Sequence, residues 1–314
     1  MNGKKDFISI TDLSPKEISA VFEDAARYKK NPNATQTTLR GKSIALIFQK
    51  PSTRTFVSFS VGIYQLGGLP LLLHQEDLQW RRGETIADTA RALSCYVDGL
   101  VVRAIRHVDV EEFARRTTFP VVNGLTDEEH PCQVLSDVFT IMDHTRKTLK
   151  EIADLKIVFL GDGNNVAQSW LLAAGMLGLK FTLVCPKNYS PNEWIVDRAQ
   201  RLAASSGAKI EVRHDTLPAI KGADVLYTDV WTSMGQEKER TRRLKVFRPF
   251  QLNQRIVRLT GKQPIIMHCL PAHRGEEVTE EVLDGPLSIV YKQARTRLFV
   301  QKAILAHIFH SRKK

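Results

Sequence analysis

The segment Phe48-Gln49-Lys50-Pro51-Ser52-Thr53-Arg54-Thr55 sets three hydroxyls and a guanidinium at a strand-to-helix junction, an arrangement suited to holding a phosphate. The short apolar run Ser43 to Phe48 reads as a buried strand closed by Pro51. Ser52 reads as a helix N-cap, Phe59, Ile63 and Leu66 recur at helical spacing, and Gly67-Gly68 supplies the stop. The helix start would add free N–H groups and a positive dipole end to the hydroxyls of Ser52, Thr53 and Thr55, with Arg54 as a planar fork for two phosphate oxygens. A capped helix carrying one surface arginine accounts for these residues about equally well.

Three later segments supply the groups that the first lacks: His130-Pro131-Cys132-Gln133, Asp229-Val230-Trp231-Thr232-Ser233-Met234-Gly235, and His268-Cys269-Leu270-Pro271. In this order and at these separations the four motifs resemble the aspartate/ornithine carbamoyltransferase family, the last two its ornithine branch. The resemblance runs from about residue 10 to residue 305. It implies transfer of a carbamoyl group from carbamoyl phosphate to the δ-amine of L-ornithine, with neither cofactor nor metal. The implied fold is α/β, two doubly wound parallel-sheet domains joined by interdomain helices. Residues 1–148 would bind carbamoyl phosphate, with the C-terminal helix, 290–314, returning to that first domain, and residues 149–289 would bind ornithine.

Carried over residue by residue, the resemblance gives Ser52, Thr53 and Arg54 the phosphate, and Thr55, Arg103 and His130 the carbonyl oxygen. Gln133 would take the carbamoyl NH2, while Cys269, Leu270 and Arg297 complete the carbamoyl phosphate set. Arg54, Arg103, His130 and Cys269 are the catalytic candidates. Asn165 would meet the ornithine α-carboxylate, Asp229 the α-ammonium, and Ser233 and Met234 a loop along the side chain. Gln79 matches a ligand that the family supplies from a neighbouring subunit, so the resemblance implies a homo-oligomer, a trimer or a multiple of trimers.

The residues also bear blander readings. His130 alone reads as a structural histidine or a helix cap, Met234 as a hydrophobic plug, and Gln79 as part of a basic surface loop. Cys269 could be a covalent nucleophile, but direct displacement suffices once amine and carbonyl are held together, and the resemblance makes it an orienting group. Arg274 is expected near the carbamoyl oxygen or Asp229. Gly161-Asp162-Gly163-Asn164-Asn165-Val166 imitates a dinucleotide fingerprint poorly, because Val166 stands at the third glycine and no acid ends the next strand at Cys185-Pro186-Lys187. Asn164 reads as shaping the turn.

These groups need alternating strands and helices to position them. Ser14-Pro15-Lys16-Glu17 is a capping box opening a helix to about Tyr28. Strands are expected at 43–48, 70–73, 99–102 and 121–122, and after a boundary near 145–155 at 156–160, 181–185, 225–227 and 265–267. A last helix is expected over about 297–309. Departures from the family pattern are Phe56 and Ser60, which replace an ion pair, Trp80 beside Gln79, and Arg295-Thr296.

At 314 residues with 43% hydrophobic content the chain can build two cores, and it has no apolar run of membrane-spanning length. A polar N-terminus without a signal h-region points to the cytoplasm. Cys95, Cys132, Cys185 and Cys269 lie far apart, which argues for reduced thiols. The net charge of +11 raises nucleic acid as a partner, but the basic runs 238–245 and 311–314 lack interleaved aromatics and read as solvated faces. Neither nucleic acid nor membrane is therefore an expected partner. The competing functions are a carbamoyltransferase for putrescine or an acylated ornithine, and a non-catalytic carbamoyl phosphate or nucleic-acid binding paralogue.

Overall fold

The computed structural model describes residues 4–32, 36–74, 76, 78–232 and 237–310. Its backbone forms two compact α/β units. One runs to Phe139 and takes up the chain again from Arg295, and the other is Thr140–Ala294.

In the first unit, α1 (Pro15–Lys30) opens on the Ser14–Glu17 capping box. It is followed by β1 (Ser43–Phe48), α2 (Thr53–Gln65), β2 (Leu69–His74), α3 (Ile86–Leu93), β3 (Gly99–Arg103), α4 (His107–Arg116), β4 (Val121–Leu125) and α5 (Pro131–Thr145), which passes into the second unit from Thr140. The strands are parallel in the order β2-β1-β3-β4. Ala45, Ile47, Leu100, Val102 and Val121 pack with Ala90 of α3 and Phe113 of α4, so one sheet face closes a core. Trp80 joins that core, its ring 6.1 Å from Phe113 and its indole N–H donating to Thr89 at 2.9 Å. Phe56 sits edge-on to Phe48 at 6.2 Å, an apolar brace at the end of β1.

The second unit contains α6 (Leu149–Ile152), β5 (Lys156–Leu160), α7 (Asn165–Leu177), β6 (Lys180–Val184), α8 (Glu193–Ser206), β7 (Lys209–Arg213), α9 (Thr216–Ile220) and β8 (Val225–Thr228). It continues with α10 (Arg240–Phe247), α11 (Gln254–Leu259), β9 (Ile265–His268) and α12 (Glu280–Leu283). Its parallel sheet has the order β7-β6-β5-β8-β9. The central strands are buried on both faces, which is why they read as continuous apolar runs rather than alternating ones. Trp170 of α7 stacks on Phe181 at 5.6 Å on one face, while Leu160, Leu226 and Ile266 meet Phe250, Ile256 and Leu283 in the other core.

The last helix, α13 (Val290–His310), starts seven residues earlier than its sequence pattern suggested, and from Arg295 onward it belongs to the first unit. There Lys302 is buried, donating to Gln65 at 2.9 Å and lying over the Tyr28 ring.

Candidate active site

Both sheets reverse their winding direction once, and open parallel sheets collect ligands beyond the carboxyl ends of the strands at that point. In the first unit the reversal lies between β1 and β3, where Phe48 is the register partner of Arg103. In the second it lies between β5 and β8, where Leu160 pairs with Thr228 and the Thr228 hydroxyl donates to the Leu160 carbonyl at 2.7 Å. The Ser-Thr-Arg-Thr segment and Arg103 thus leave one switch point, while the 161–165 turn and Asp229 leave the other.

In the first unit, Ser52 occupies the N-cap position of α2, but its hydroxyl makes no capping hydrogen bond, unlike the usual role of a serine there. Thr53 is exposed, Arg54 is half-buried, and Thr55 is fully buried with its hydroxyl accepting from Arg297 Nη2 at 2.9 Å. Gly124 is an extra residue in β4 where the register shifts between Val102 and Arg103, a bulge that re-aims the arginine. His130 is buried at the mouth of α5, and burial, then the charges of Arg297 and Arg103, hold its pKa well below the ordinary imidazole value. Its imidazole is therefore neutral at physiological pH. Gln133 is buried one turn into α5 and donates through Nε2 to Asp137 Oδ1 at 2.8 Å. Gln79 is exposed on a 3-10 turn.

In the second unit, Asp229 is buried and shared by three motifs. Its Oδ1 accepts from Cys269 Sγ and from the Val230 amide, each at 2.8 Å, and its Oδ2 accepts from Asn164 Nδ2 at 2.8 Å. Asn164 also caps α7 through Oδ1, which receives the Val166 and Ala167 amides. It therefore shapes the turn as expected and braces Asp229 as well, a second task that its own sequence context gave no sign of. Asn165 is half-buried as the first residue of α7. Gly163 donates to the Tyr189 carbonyl at 2.9 Å, and a Cβ on it would lie 2.7 Å from that oxygen.

Leu270 has φ +57°, a left-handed conformation that branched side chains disfavour by about 1–2 kcal/mol. Its amide donates to His268 Nδ1 at 2.8 Å, so the imidazole proton sits on Nε2 and points at Glu277, 3.1 Å away. His268 and Glu277 are both buried, and Glu277 also receives the His273 amide at 2.6 Å. Glu277, which anchors this support for the Cys269-Leu270 corner, lies outside the four motifs.

Two expectations are corrected. Arg274 pairs with Asp284 at 2.9 Å rather than with Asp229, because the residue that caps the end of α12 presents a carboxylate directly to it. Arg243, assigned to a solvated basic face, is buried. Its guanidinium pairs with buried Asp162, donates to the Trp231 carbonyl, and lies over the rings of Tyr189 and Phe247 at 4.6 and 5.2 Å. Burial pushes Asp162 up to about 6 despite Arg243, and Asp229 adds to the rise. The Ser233-Met234-Gly235 assignment lies outside the described residues.

Ligand atoms of Asp229, His268 and Cys269 lie close enough to hold a cation, as do those of His273, Glu276 and Glu277. In the first group the Cys269 thiol already donates to Asp229. Of the other cysteines, Cys132 and Cys185 are buried, which pushes their thiols up to about 12 and about 11 and leaves them unreactive.

Residues 5–143 match the family model for the carbamoyl-P binding domain of aspartate/ornithine carbamoyltransferase, and residues 153–308 match its Asp/Orn binding domain. The ornithine carbamoyltransferase of Syntrophus aciditrophicus is 49% identical over 304 residues, covering 96% of this chain and 98% of that protein. The anabolic ornithine carbamoyltransferase of Pyrococcus furiosus is likewise 49% identical, over 96% of this chain and 95% of its own length. A solved ornithine carbamoyltransferase from Pyrococcus furiosus superposes with a TM-score of 0.91 at 48% identity, covering 97% of this chain and 96% of that one. Sequence and fold agree along nearly the whole length, and the chain belongs to the aspartate/ornithine carbamoyltransferase family.

Proposed function

We propose that the chain is an ornithine carbamoyltransferase, forming L-citrulline and phosphate from L-ornithine and carbamoyl phosphate. The observation that carries this reading is the buried Asp229 carboxylate, held at 2.8 Å by both Cys269 and Asn164 and thereby fixed as a partner for an amino-acid ammonium. The 49% identity to relatives named for ornithine supports the same acceptor.

In the proposed reaction the neutral δ-nitrogen adds its lone pair to the carbonyl carbon, and the C=O electrons move onto oxygen. Re-forming that double bond breaks the C–O bond to phosphate, which takes up the amine proton and leaves as hydrogen phosphate. Residues 1–148 with 290–314 serve carbamoyl phosphate, and residues 149–289 serve ornithine. Arg54 with Ser52 and Thr53 takes the phosphate, Thr55, Arg103 and neutral His130 take the growing oxyanion, and Arg297 reaches the carbamoyl phosphate from the last helix. Gln133 takes the carbamoyl nitrogen. Cys269 orients the amine beside Asp229, and Asn165 with the Ser233-Met234 segment receives the rest of ornithine. The enzyme acts in arginine biosynthesis in the cytoplasm, a direction supported by the anabolic name of the Pyrococcus furiosus relative.

Purified protein should form citrulline from ornithine and carbamoyl phosphate and ignore aspartate, putrescine and N-acylated ornithine as competing acceptors. Equal or better turnover of any of these three would sink the assignment. The rate should rise with pH as the δ-ammonium loses its proton, since only the neutral amine attacks.

The exposed position of Gln79 suits a ligand donated to a neighbouring subunit of a homotrimer. Arg54→Ala and Gln79→Ala homo-oligomers should each be nearly inactive. Random equal mixing should return roughly a quarter of wild-type sites, those that draw the intact residue from both neighbours. Hybrids shown by mass analysis to have formed, yet without recovered activity, would remove Gln79 from the site.

A further inference from the structure

A side-chain amide has two unlike ends, and which end faces a ligand decides whether it recognises a donor or an acceptor. In Gln133 that choice is imposed by the protein. Asp137 stands one helical turn further along α5, and both residues are buried. Asp137 Oδ1 accepts from the NH2 end of Gln133, in a 2.8 Å bond from Nε2. The other end, Gln133 Oε1, is buried with no hydrogen-bond partner among the described residues. A buried acceptor left unmet is disfavoured, so this oxygen calls for an N–H from outside the fold.

We infer that Asp137 is a specificity-determining positioning residue: by fixing the amide of Gln133 with its oxygen outward, it makes the site select a carbamoyl over an acyl phosphate. The inference rests on the carbamoyltransferase reading and deepens it. Carbamoyl phosphate brings an NH2 to Oε1, whereas acetyl phosphate, alike in shape and charge, brings a methyl group that leaves Oε1 unmet. An ordinary i,i+4 helix contact would bind Gln133 to Asp137 equally well, but it would have no influence on the choice between these two ligands.

In Asp137→Asn the new amide can donate to Gln133 Oε1, allowing the glutamine to turn and point its own NH2 outward against the NH2 of the ligand. The test is the KM for carbamoyl phosphate against the inhibition constant of acetyl phosphate, both from the citrulline assay. Wild-type protein should favour the carbamoyl compound by about 10- to 100-fold. Asp137→Asn should raise the KM for carbamoyl phosphate about tenfold or more and leave acetyl phosphate within about twofold, and in a Gln133→Ala background it should add nothing further. Asp137→Ala, which removes the acceptor altogether, gives the same test if the asparagine variant does not fold. Equal losses for both ligands, or no loss for either, would overturn the inference. Wild-type protein that forms no citrulline would overturn the functional reading itself, whereas an active wild type with an unaltered Asp137→Asn selectivity overturns only the role of Asp137.

Discussion

In Asp229→Ala, kcat/KM for ornithine should fall by about 10³-fold, while the KM for carbamoyl phosphate stays within a few-fold. The carboxylate is buried and receives three hydrogen bonds from Cys269, Val230 and Asn164, so it is already oriented before the substrate arrives. Removing it takes away the counter-charge for an ammonium and at the same time releases the Cys269 thiol. Asp229→Asn keeps the shape and loses the charge, and should be affected nearly as strongly. Steady-state kinetics with ornithine varied at saturating carbamoyl phosphate measure the effect. A loss confined to carbamoyl phosphate would place Asp229 on the wrong substrate.

Arg243→Leu should destabilise the protein by about 3–5 kcal/mol, because it strands a buried carboxylate rather than removing a surface charge. The effect should also depend on pH. Asp162 has an ordinary value of 3.8 and stands at about 6 when folded, so between those values the folded protein keeps a proton that the unfolded chain has released. Its contribution to stability is therefore full below about 4 and is lost as pH rises through 6. Without Arg243 that pKa rises further. The penalty of Arg243→Leu should thus be larger at pH 8 than at pH 5, where a protonated Asp162 tolerates the missing partner. Denaturant unfolding at the two pH values checks this, and equal destabilisation at both would refute the pairing as the cause.

Local patterns revealed most of the framework. Strand 43–48, the start of α2 after Ser52 and the apolar strands of the second sheet were legible because burial on both faces forces continuous apolar runs and N-cap positions use few residue types. Long-range pairings were not. The brace from Asn164 joins residues 65 positions apart, and the basic run 238–245 gives no hint that the turn of α10 carries Arg243 onto Asp162 while the other basic residues of the run stay exposed. The bulge at Gly124 escaped for a related reason: its cause is the register of a neighbouring strand, which no single segment records. Of the departures from the family pattern, Phe56 and Trp80 each pack against an aromatic of their own unit.

Gly163 has a bearing on what the protein ignores in a cell crowded with nucleotides. The space over such a glycine is where related strand-turn-helix folds admit a pyrophosphate, but here the main chain of Tyr189–Pro191 already fills it. ATP and NAD therefore have no foothold at this turn, and abundant nucleotides should not compete with an amino acid bound beside it. The same filling limits divergence. A descendant recruited to dinucleotides would first have to move an entire loop, a change that no single substitution at the turn can make.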